Sequence, residues 1–249
     1  MSGAAATPLL RTSRLSRRFG GLVAVSELDL EVRSGEILGL IGPNGAGKST
    51  TFNLISGFCK PSSGRLEVFG EDCTGSSPTT ISRMGLVRTF QHGSLMRSMT
   101  VRDNVLLGTI HRTSGGRSAE RPALVEDTAR LLGLSAHLDT VAGALPHGVQ
   151  RLVSIAIALA ARPRLLCLDE PLTGLNQTEV ARALEVFQLA RRELGCSILL
   201  VEHNMKAVMA LCDRIVVLHH GRHLASGAPA EIRANPEVIA AYLGSRHGG

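Results

Sequence analysis

The sequence predicts an α/β fold in which short buried strands alternate with helices. Strand-length apolar runs recur at Glu36–Ile41, Arg164–Leu168 and Ser197–Val201. Helical spacing of apolar residues lies between them, as in Val180–Leu194, which ends before Gly195. Strands that alternate with helices are typical of a parallel sheet with helices on its faces.

The N-terminal third begins with strands and reaches a helix through a glycine-rich loop. Leu28–Val32 alternates polar and apolar residues, as a half-buried strand does. The buried strand that follows runs into the glycine-rich loop, and Ser49–Phe58 has helical character. A turn at Pro61–Gly64 leads to an alternating strand at Arg65–Phe69.

The region from about residue 91 to 159 is predicted to be a helical insertion. Its most loop-like segment is Arg112–Arg121. Beyond the insertion, the strand at Ser197–Val201 is followed by a predicted helix at Asn204–Cys212 and a strand at Arg214–Leu218.

Composition places the chain among ordinary globular proteins. Of its 249 residues, 44 % are hydrophobic and 19 % are charged. Apolar runs such as Ile155–Ala161 are shorter than the roughly 20 residues that span a bilayer, and no secretory h-region is visible. We therefore expect a soluble, cytoplasmic protein. The five scattered cysteines form no CxxC pair, which argues against disulfides and zinc, and Cys167 should be a small buried hydrophobe.

The formal net charge of +6 raises the question of nucleic acid or an anionic membrane surface as a partner. The arginines are dispersed, and aromatic residues are only 3 % of the chain. Stacking platforms for single strands need aromatic side chains. We therefore expect no nucleic acid partner.

The loop after the first buried strand matches G-x-x-x-x-G-K-[ST] in full, since Gly42–Ser49 reads GPNGAGKS. Glycines let backbone N–H groups curl around phosphate oxygens, and the helix N-terminus adds partial positive charge. The lysine would bind the β- and γ-phosphates, and the serine hydroxyl can ligate Mg²⁺. The residues expected to contact nucleotide are Gly42, Pro43, Asn44, Gly45, Ala46, Gly47, Lys48, Ser49 and Thr50.

Two carboxylates emerge at the end of another buried strand, because Leu165–Glu170 reads LLCLDE. Ligands of open α/β sheets bind beyond the carboxyl ends of the strands. Asp169 would hold the Mg²⁺ shell, and Glu170 would orient or deprotonate the water that attacks the γ-phosphate. The absence of an NKxD-type motif disfavours a GTPase.

With these motifs the sequence resembles the ATP-binding cassette (ABC) family over nearly the whole chain. The resemblance implies a P-loop NTPase with a RecA-like core, an inserted α-helical subdomain and an N-terminal antiparallel β subdomain. It places core and β subdomain at about 9–90 and 160–226, the helical subdomain at about 91–159, and a short helical tail at about 228–249.

Four further segments carry the resemblance. Thr89–Gln91 resembles the Q-loop, in which Gln91 would sense Mg²⁺ and the transmembrane partner. Val201–His203 resembles the strand of the switch histidine, with His203 at the γ-phosphate. Leu172–Asn176 resembles the D-loop. Phe19 resembles the aromatic that stacks on adenine, a core aromatic being the alternative.

The segment LPHGVQ stands where the family has its LSGGQ signature, which reaches the γ-phosphate bound on the opposite subunit. Pro146 replaces the serine and therefore lacks both a hydroxyl and a backbone N–H. His147 replaces a small residue, and Val149 a polar one. The residues expected to face the partner's ATP are Leu145, Pro146, His147 and Gly148.

Head-to-tail pairing gives this departure an asymmetric consequence. The partner subunit would complete the site at Lys48, whereas the altered signature would weaken the partner's site. We therefore expect a heterodimer of ABC ATPases with at least one fully competent site, with the homodimer as the alternative.

The C-terminal part resembles the branched-chain amino-acid uptake ATPases, especially in NPEVIAAYLG at Asn235–Gly244, as does Gly85–Gly108. The resemblance implies ATP and Mg as cofactors. It also implies a second ATPase, transmembrane permease subunits and an extracytoplasmic solute-binding protein as partners, at the cytoplasmic face of the plasma membrane. Relatives handle urea or short amides, or extract lipopolysaccharide, so the cargo follows from kinship alone.

Two other classes of function stay open at this point. A regulatory cassette would hold ATP and hydrolyse it weakly, as the altered signature favours and the intact Glu170 and His203 disfavour. A cassette acting on nucleic acid or ribosomes would usually carry tandem cassettes or a long coiled-coil insertion, and neither is present.

Overall fold

The computed structural model describes residues 7–89, 95–110 and 120–244. These residues form two compact units. The first unit combines the described residues up to Met84 with those from Ser197 onward, and the second unit is Gly85–Cys196.

The elements are numbered in chain order. The strands are β1 (Leu10–Phe19), β2 (Leu22–Val32), β3 (Ile37–Ile41), β4 (Ser63–Val68), β5 (Glu71–Asp72), β6 (Leu86–Arg88), β7 (Leu165–Asp169), β8 (Ser197–Val201), β9 (Arg214–His219) and β10 (Arg222–Gly227). The helices are α1 (Lys48–Ile55), α2 (Pro78–Met84), α3 (Val101–Gly108), α4 (Arg121–Leu132), α5 (His147–Ala160), α6 (Gln177–Leu194), α7 (Met205–Leu211), α8 (Pro229–Ala234) and α9 (Pro236–Gly244). Short 3-10 turns lie at Ser135–His137 and Ala142–Ala144.

The first unit contains an antiparallel sheet in the order β2-β1-β4-β5. Its strands alternate buried and exposed residues, so one face packs on the core. In the same unit β3 pairs in parallel with β8 on one side and β9 on the other, and β10 continues antiparallel to β9. All residues of β3 and β8 are buried, which explains why both strands are continuous apolar runs. The predicted parallel sheet is therefore confirmed.

The second unit is mainly helical and also contains the parallel strand pair β6 and β7. Helix α5 is its central helix and packs against α3, α4 and α6. The described part of the predicted helical insertion contains α3, α4 and most of α5. The predicted limits of the subdomains stay predictions.

Two predicted helix boundaries differ from the structure, and one predicted loop can hardly be compared with it. The helix predicted to reach Phe58 ends at Ile55, because Gly57 turns the chain at φ +77° and donates its N–H to the carbonyl of Leu54. The helix predicted from Val180 begins at Gln177, behind a capping box of Asn176 and Glu179. Most of the loop predicted at Arg112–Arg121 lies outside the described residues.

Among the helices of the described residues, none combines the length and apolar character that a bilayer crossing requires. The longest of them, α6, is amphipathic and carries charged residues along its length.

Candidate functional site

The glycine-rich loop lies where the sequence predicts it, between the buried strand β3 and helix α1. Gly47 has φ +96°, and a Cβ placed there would lie 2.5 Å from the carbonyl oxygen of Ala24 on β2. Gly42 has φ +154°, and its Cβ would lie 2.2 Å from the carbonyl oxygen of Leu218. The tight curl of the loop therefore depends on glycine at both ends.

Lys48 is drawn inward by the loop that precedes it. Its side chain is buried, and Nζ donates to the carbonyl oxygens of Gly42 at 2.7 Å and Pro43 at 3.0 Å. Phosphate oxygens are suited to accept hydrogen bonds from an ammonium that already donates to two carbonyl oxygens. Ser49 is exposed in the first turn of α1, and Thr50 is half-buried beside it.

The predicted switch histidine belongs to the same unit as the glycine-rich loop. In the pairing of β3 with β8, Leu40 lies opposite Val201, so the two strands end at the same edge of the sheet. His203 follows β8 and is exposed. The buried Glu202 accepts the backbone N–H of His203 at 3.0 Å, while Asn204 caps α7. Glu202 therefore fixes the backbone that presents the imidazole.

Phe19 lies at the tip of the β1–β2 hairpin, and its side chain is 48 % exposed. The guanidinium carbon of Arg17 lies 4.5 Å from the ring centroid, as in a cation–π pair. Leu22 is exposed beside it, and two residues later Ala24 adjoins the glycine-rich loop. The alternative of a core aromatic is therefore excluded, and adenine stacking stays a prediction.

The C-terminal helix α9 reaches the same loop. Burial raises the pKa of the Tyr242 phenol above its ordinary value, and a hydrogen bond with the backbone of Gly42 opposes the rise. The first residue of the phosphate loop is thereby attached to the last described helix.

In the second unit, Asp169 ends β7 as predicted and is buried. Its Oδ2 accepts from Nη2 of Arg88, the last residue of β6, at 2.8 Å, and both side chains are 10 % exposed. The register of β6 and β7 pairs Arg88 with Cys167, so the guanidinium extends toward the end of the strand. Cys167 itself is fully buried as predicted, and burial raises the pKa of its thiol.

Glu170 follows β7 with a left-handed backbone at φ +46°, and its side chain is half-buried. An arginine of α5 contacts this turn: Arg151 donates from Nη2 to the carbonyl of Glu170 at 2.5 Å and from Nε to that of Pro171 at 2.7 Å. The carbonyl of Glu170 also accepts from the N–H of Thr173, at 3.4 Å.

The altered signature forms the start of α5. Pro146 is the N-cap residue and offers no side-chain cap, and His147 opens the helix. A Cβ built on Gly148 would lie 2.1 Å from Oε1 of Glu179 on α6, so a side chain there would force the Glu179 carboxylate out of its place. His147 lies against the D-loop, since its Cε1 is 3.3 Å from the position of a Cβ at Gly174.

Within each unit the predicted site residues therefore fall into one group, and Gln91 lies outside the described residues. The first unit brings together the glycine-rich loop and the end of β8, and the second brings together the end of β7, the D-loop and the signature. Sequence reasoning missed Arg88, Arg151 and Tyr242, and it gave Glu202 no role of its own although it singled out the segment Val201–His203. The contacts of Arg88, Arg151 and Tyr242 are to groups distant in sequence, which leave no local pattern.

Comparison with known proteins identifies this arrangement. The profile of the family described as "ABC transporter" matches residues 25–173, and that of "Branched-chain amino acid ATP-binding cassette transporter" matches residues 222–248. The chain is 43 % identical over 250 residues to the high-affinity branched-chain amino acid transport ATP-binding protein LivG of Salmonella typhimurium, covering 95 % of this chain and 98 % of that one. Its identity to BraF of Pseudomonas aeruginosa, which carries the same description, is 41 % with the same coverage.

A solved structure of an ATP-binding cassette of an ABC transporter superposes with a TM-score of 0.87 at 28 % identity, covering 95 % of this chain and 99 % of that one. The predicted P-loop NTPase fold and the predicted family are thus confirmed. The chain belongs to the ABC transporter family, as an ATP-binding cassette of the branched-chain amino acid transport group.

Proposed function

We propose that this chain binds ATP with Mg²⁺ and hydrolyses it to drive a membrane importer. The observation that carries the proposal is the phosphate loop between β3 and α1, together with the buried Lys48, the first residue of α1. Phosphate oxygens would replace the carbonyls of Gly42 and Pro43 as acceptors of Nζ, so the lysine changes partners without losing hydrogen bonds.

The remaining roles follow from chemistry and position. Phe19 would stack on adenine at the exposed hairpin tip, and His203 would contact the γ-phosphate. Glu170 would orient the attacking water and accept its proton, since phosphoryl transfer depends mainly on positioning and charge. Gln91 would sense Mg²⁺ and the transmembrane partner.

The residue types proposed to hold magnesium are suited to it. Ser49 offers an exposed hydroxyl, Asp169 a carboxylate and Gln91 an amide oxygen, and each is a hard oxygen ligand of the kind that Mg²⁺ takes together with nucleotide phosphates. When bound, the ion would neutralise charge on the phosphates. Arg88 holds one oxygen of Asp169 in the described structure and so fixes the orientation of that carboxylate.

We infer that the cargo is branched-chain amino acids. The profile match at residues 222–248 and the descriptions of the LivG and BraF relatives support this inference. A second ATPase, two permeases and a solute-binding protein would complete the importer at the cytoplasmic face of the membrane. Urea or short amides are the alternative cargo.

Uptake of labelled leucine tests the motor and the cargo together. In cells whose only copy of the chain carries Lys48→Ala, uptake should be lost at normal protein level, while the exposed Lys60→Ala serves as the matched control. Unchanged uptake in Lys48→Ala cells would contradict the assignment of leucine as cargo. Loss of ATPase activity together with normal leucine uptake would still support the role as an ATPase motor, but it would make urea or short amides the cargo to test next.

The weakly hydrolysing regulatory cassette is the second candidate, favoured by a signature in which Pro146 provides no side-chain cap. Glu170→Gln separates the two. In a motor this variant should trap ATP and stop turnover, whereas in a regulatory cassette it should change little. Two occluded ATP molecules that both turn over in a homodimer would contradict our proposal of a heterodimer.

A further inference from the structure

The signature helix and the turn of Glu170 are joined by one side chain. Arg151 lies in the second turn of α5, four residues after His147. Its guanidinium spans two successive carbonyls, those of Glu170 and Pro171. Hydrogen bonds from a charged donor are stronger than neutral ones, and the planar fork of arginine fixes the distance between its acceptors.

The backbone that Arg151 holds is not one that glutamate adopts readily. Glu170 has φ +46°, a left-handed conformation that is uncommon for residues with a Cβ. The proline that follows restricts Glu170 further. Such a conformation persists only where surrounding contacts determine it, and the two bonds from Arg151 are contacts of this kind.

The other end of the same helix segment contacts the D-loop region. Gly148 packs on Glu179, the residue that completes the capping box of α6, and His147 packs on Gly174. The first two turns of α5 therefore touch both the segment that precedes α6 and the turn that presents Glu170. If α5 were displaced along its axis, the guanidinium of Arg151 would move with it, and so would the two carbonyls to which it donates.

We propose that Arg151 is a positioning residue that sets the orientation of Glu170 and transmits movements of the signature helix to it. The inference rests on the proposed roles of Glu170 as the water-orienting carboxylate and of the signature as the contact to the partner's ATP. Binding of ATP at the partner's site would then act on hydrolysis at this chain's own site through a path of two hydrogen bonds.

Steady-state ATP hydrolysis tests the inference in the complex purified through an affinity tag on this chain. In Arg151→Ala, kcat should fall by about 10- to 100-fold, the loss expected from misplacing a reacting group, while KM for ATP stays within about twofold. Arg151→Lys keeps the charge but not the fork, so its kcat should be intermediate. Arg130→Ala, which removes an exposed arginine of α4, is the control.

A merely structural role predicts another pattern. The melting temperature would fall, KM would change with kcat, and lysine would be no better than alanine. That pattern, or an unchanged kcat in Arg151→Ala, would overturn the proposal.

A double-mutant cycle separates this inference from the proposed function. If Arg151 acts through Glu170, adding Arg151→Ala to Glu170→Gln should change the residual single-turnover rate by less than about twofold. If the rate losses of the two variants multiply in the double variant, Arg151 acts independently of Glu170. That result would refute the inference but not the proposed function. Wild-type turnover in Glu170→Gln would instead refute the assigned role of Glu170, and the inference with it.

Discussion

Replacement of Gly47 by alanine should damage the phosphate loop far more than the same replacement at Gly45. Both glycines have a left-handed backbone, with φ +96° and +76°, and share the cost of about 1–2 kcal/mol that a side chain meets there. A Cβ at Gly45 has no atom within 4 Å, whereas one at Gly47 lies 2.5 Å from the carbonyl oxygen of Ala24. A backbone atom of a paired strand cannot swing aside, so overpacking adds about 1–3 kcal/mol at Gly47.

These free energies translate into separable melting temperatures. At roughly 2–4 °C per kcal/mol for a chain of this size, Gly45→Ala should lower the melting temperature by about 5 °C and Gly47→Ala by about 10 °C. Differential scanning calorimetry without nucleotide measures both, and titration with a fluorescent ATP analogue should show the greater loss of affinity for Gly47→Ala. Equal effects of the two variants would refute the argument that contact with β2, rather than φ alone, requires glycine at Gly47.

Three further changes have defined outcomes. Gly148→Ala should destabilise the protein by about 1 kcal/mol in chemical denaturation, because its Cβ displaces Glu179 from a capping box. In a Glu179→Ala background the same change should be neutral or stabilising by helix propensity, and destabilisation there would contradict the reasoning. Tyr242→Phe should flatten the loss of stability at alkaline pH. Burial raises the folded pKa above the unfolded value of 10.0, so the phenol contributes stability below that pH that is lost as pH rises through the folded pKa, and equal pH profiles of the two proteins would contradict its burial. Cys59 is half-exposed and should react with a thiol reagent in the native protein at pH 8. Cys167 is buried, and burial raises the pKa of its thiol, so it should react only after unfolding; labelling of Cys167 in the native protein, detected by mass spectrometry, would contradict its burial.

The sequence predicts the parallel strands β3, β8 and β9 well because each of them carries its own apolar signal, whereas β10 and β6 were not predicted. The residues of β3 and β8 are buried on both faces, and a strand buried on both faces is a continuous apolar run. Helix ends are predicted less well. The end of α1 depends on the left-handed Gly57, and the start of α6 on the reciprocal cap between Asn176 and Glu179. Both are local features that apolar periodicity does not contain.

The candidate site divides in the same way. The phosphate loop and the carboxylates after β7 are contiguous motifs, because their chemistry needs particular residues at adjacent positions. The contacts that hold them are not contiguous. Arg88 meets Asp169 because β6 pairs with β7, and Arg151 meets Glu170 because α5 packs beside that turn. An arginine in a helix or at a strand end has no distinguishing sequence signal.

The sequence by itself therefore determined the family, the fold class and the residues with which this protein is proposed to bind and hydrolyse ATP. Only the tertiary structure decided which backbone groups hold those residues in place, such as the carbonyls that receive Lys48 and the arginine that spans Glu170 and Pro171. The physical reason is that the chemistry of the site requires particular residue types, and the residue types are given directly by the sequence. Orientation depends on hydrogen bonds across the fold, whose partners are chosen by packing.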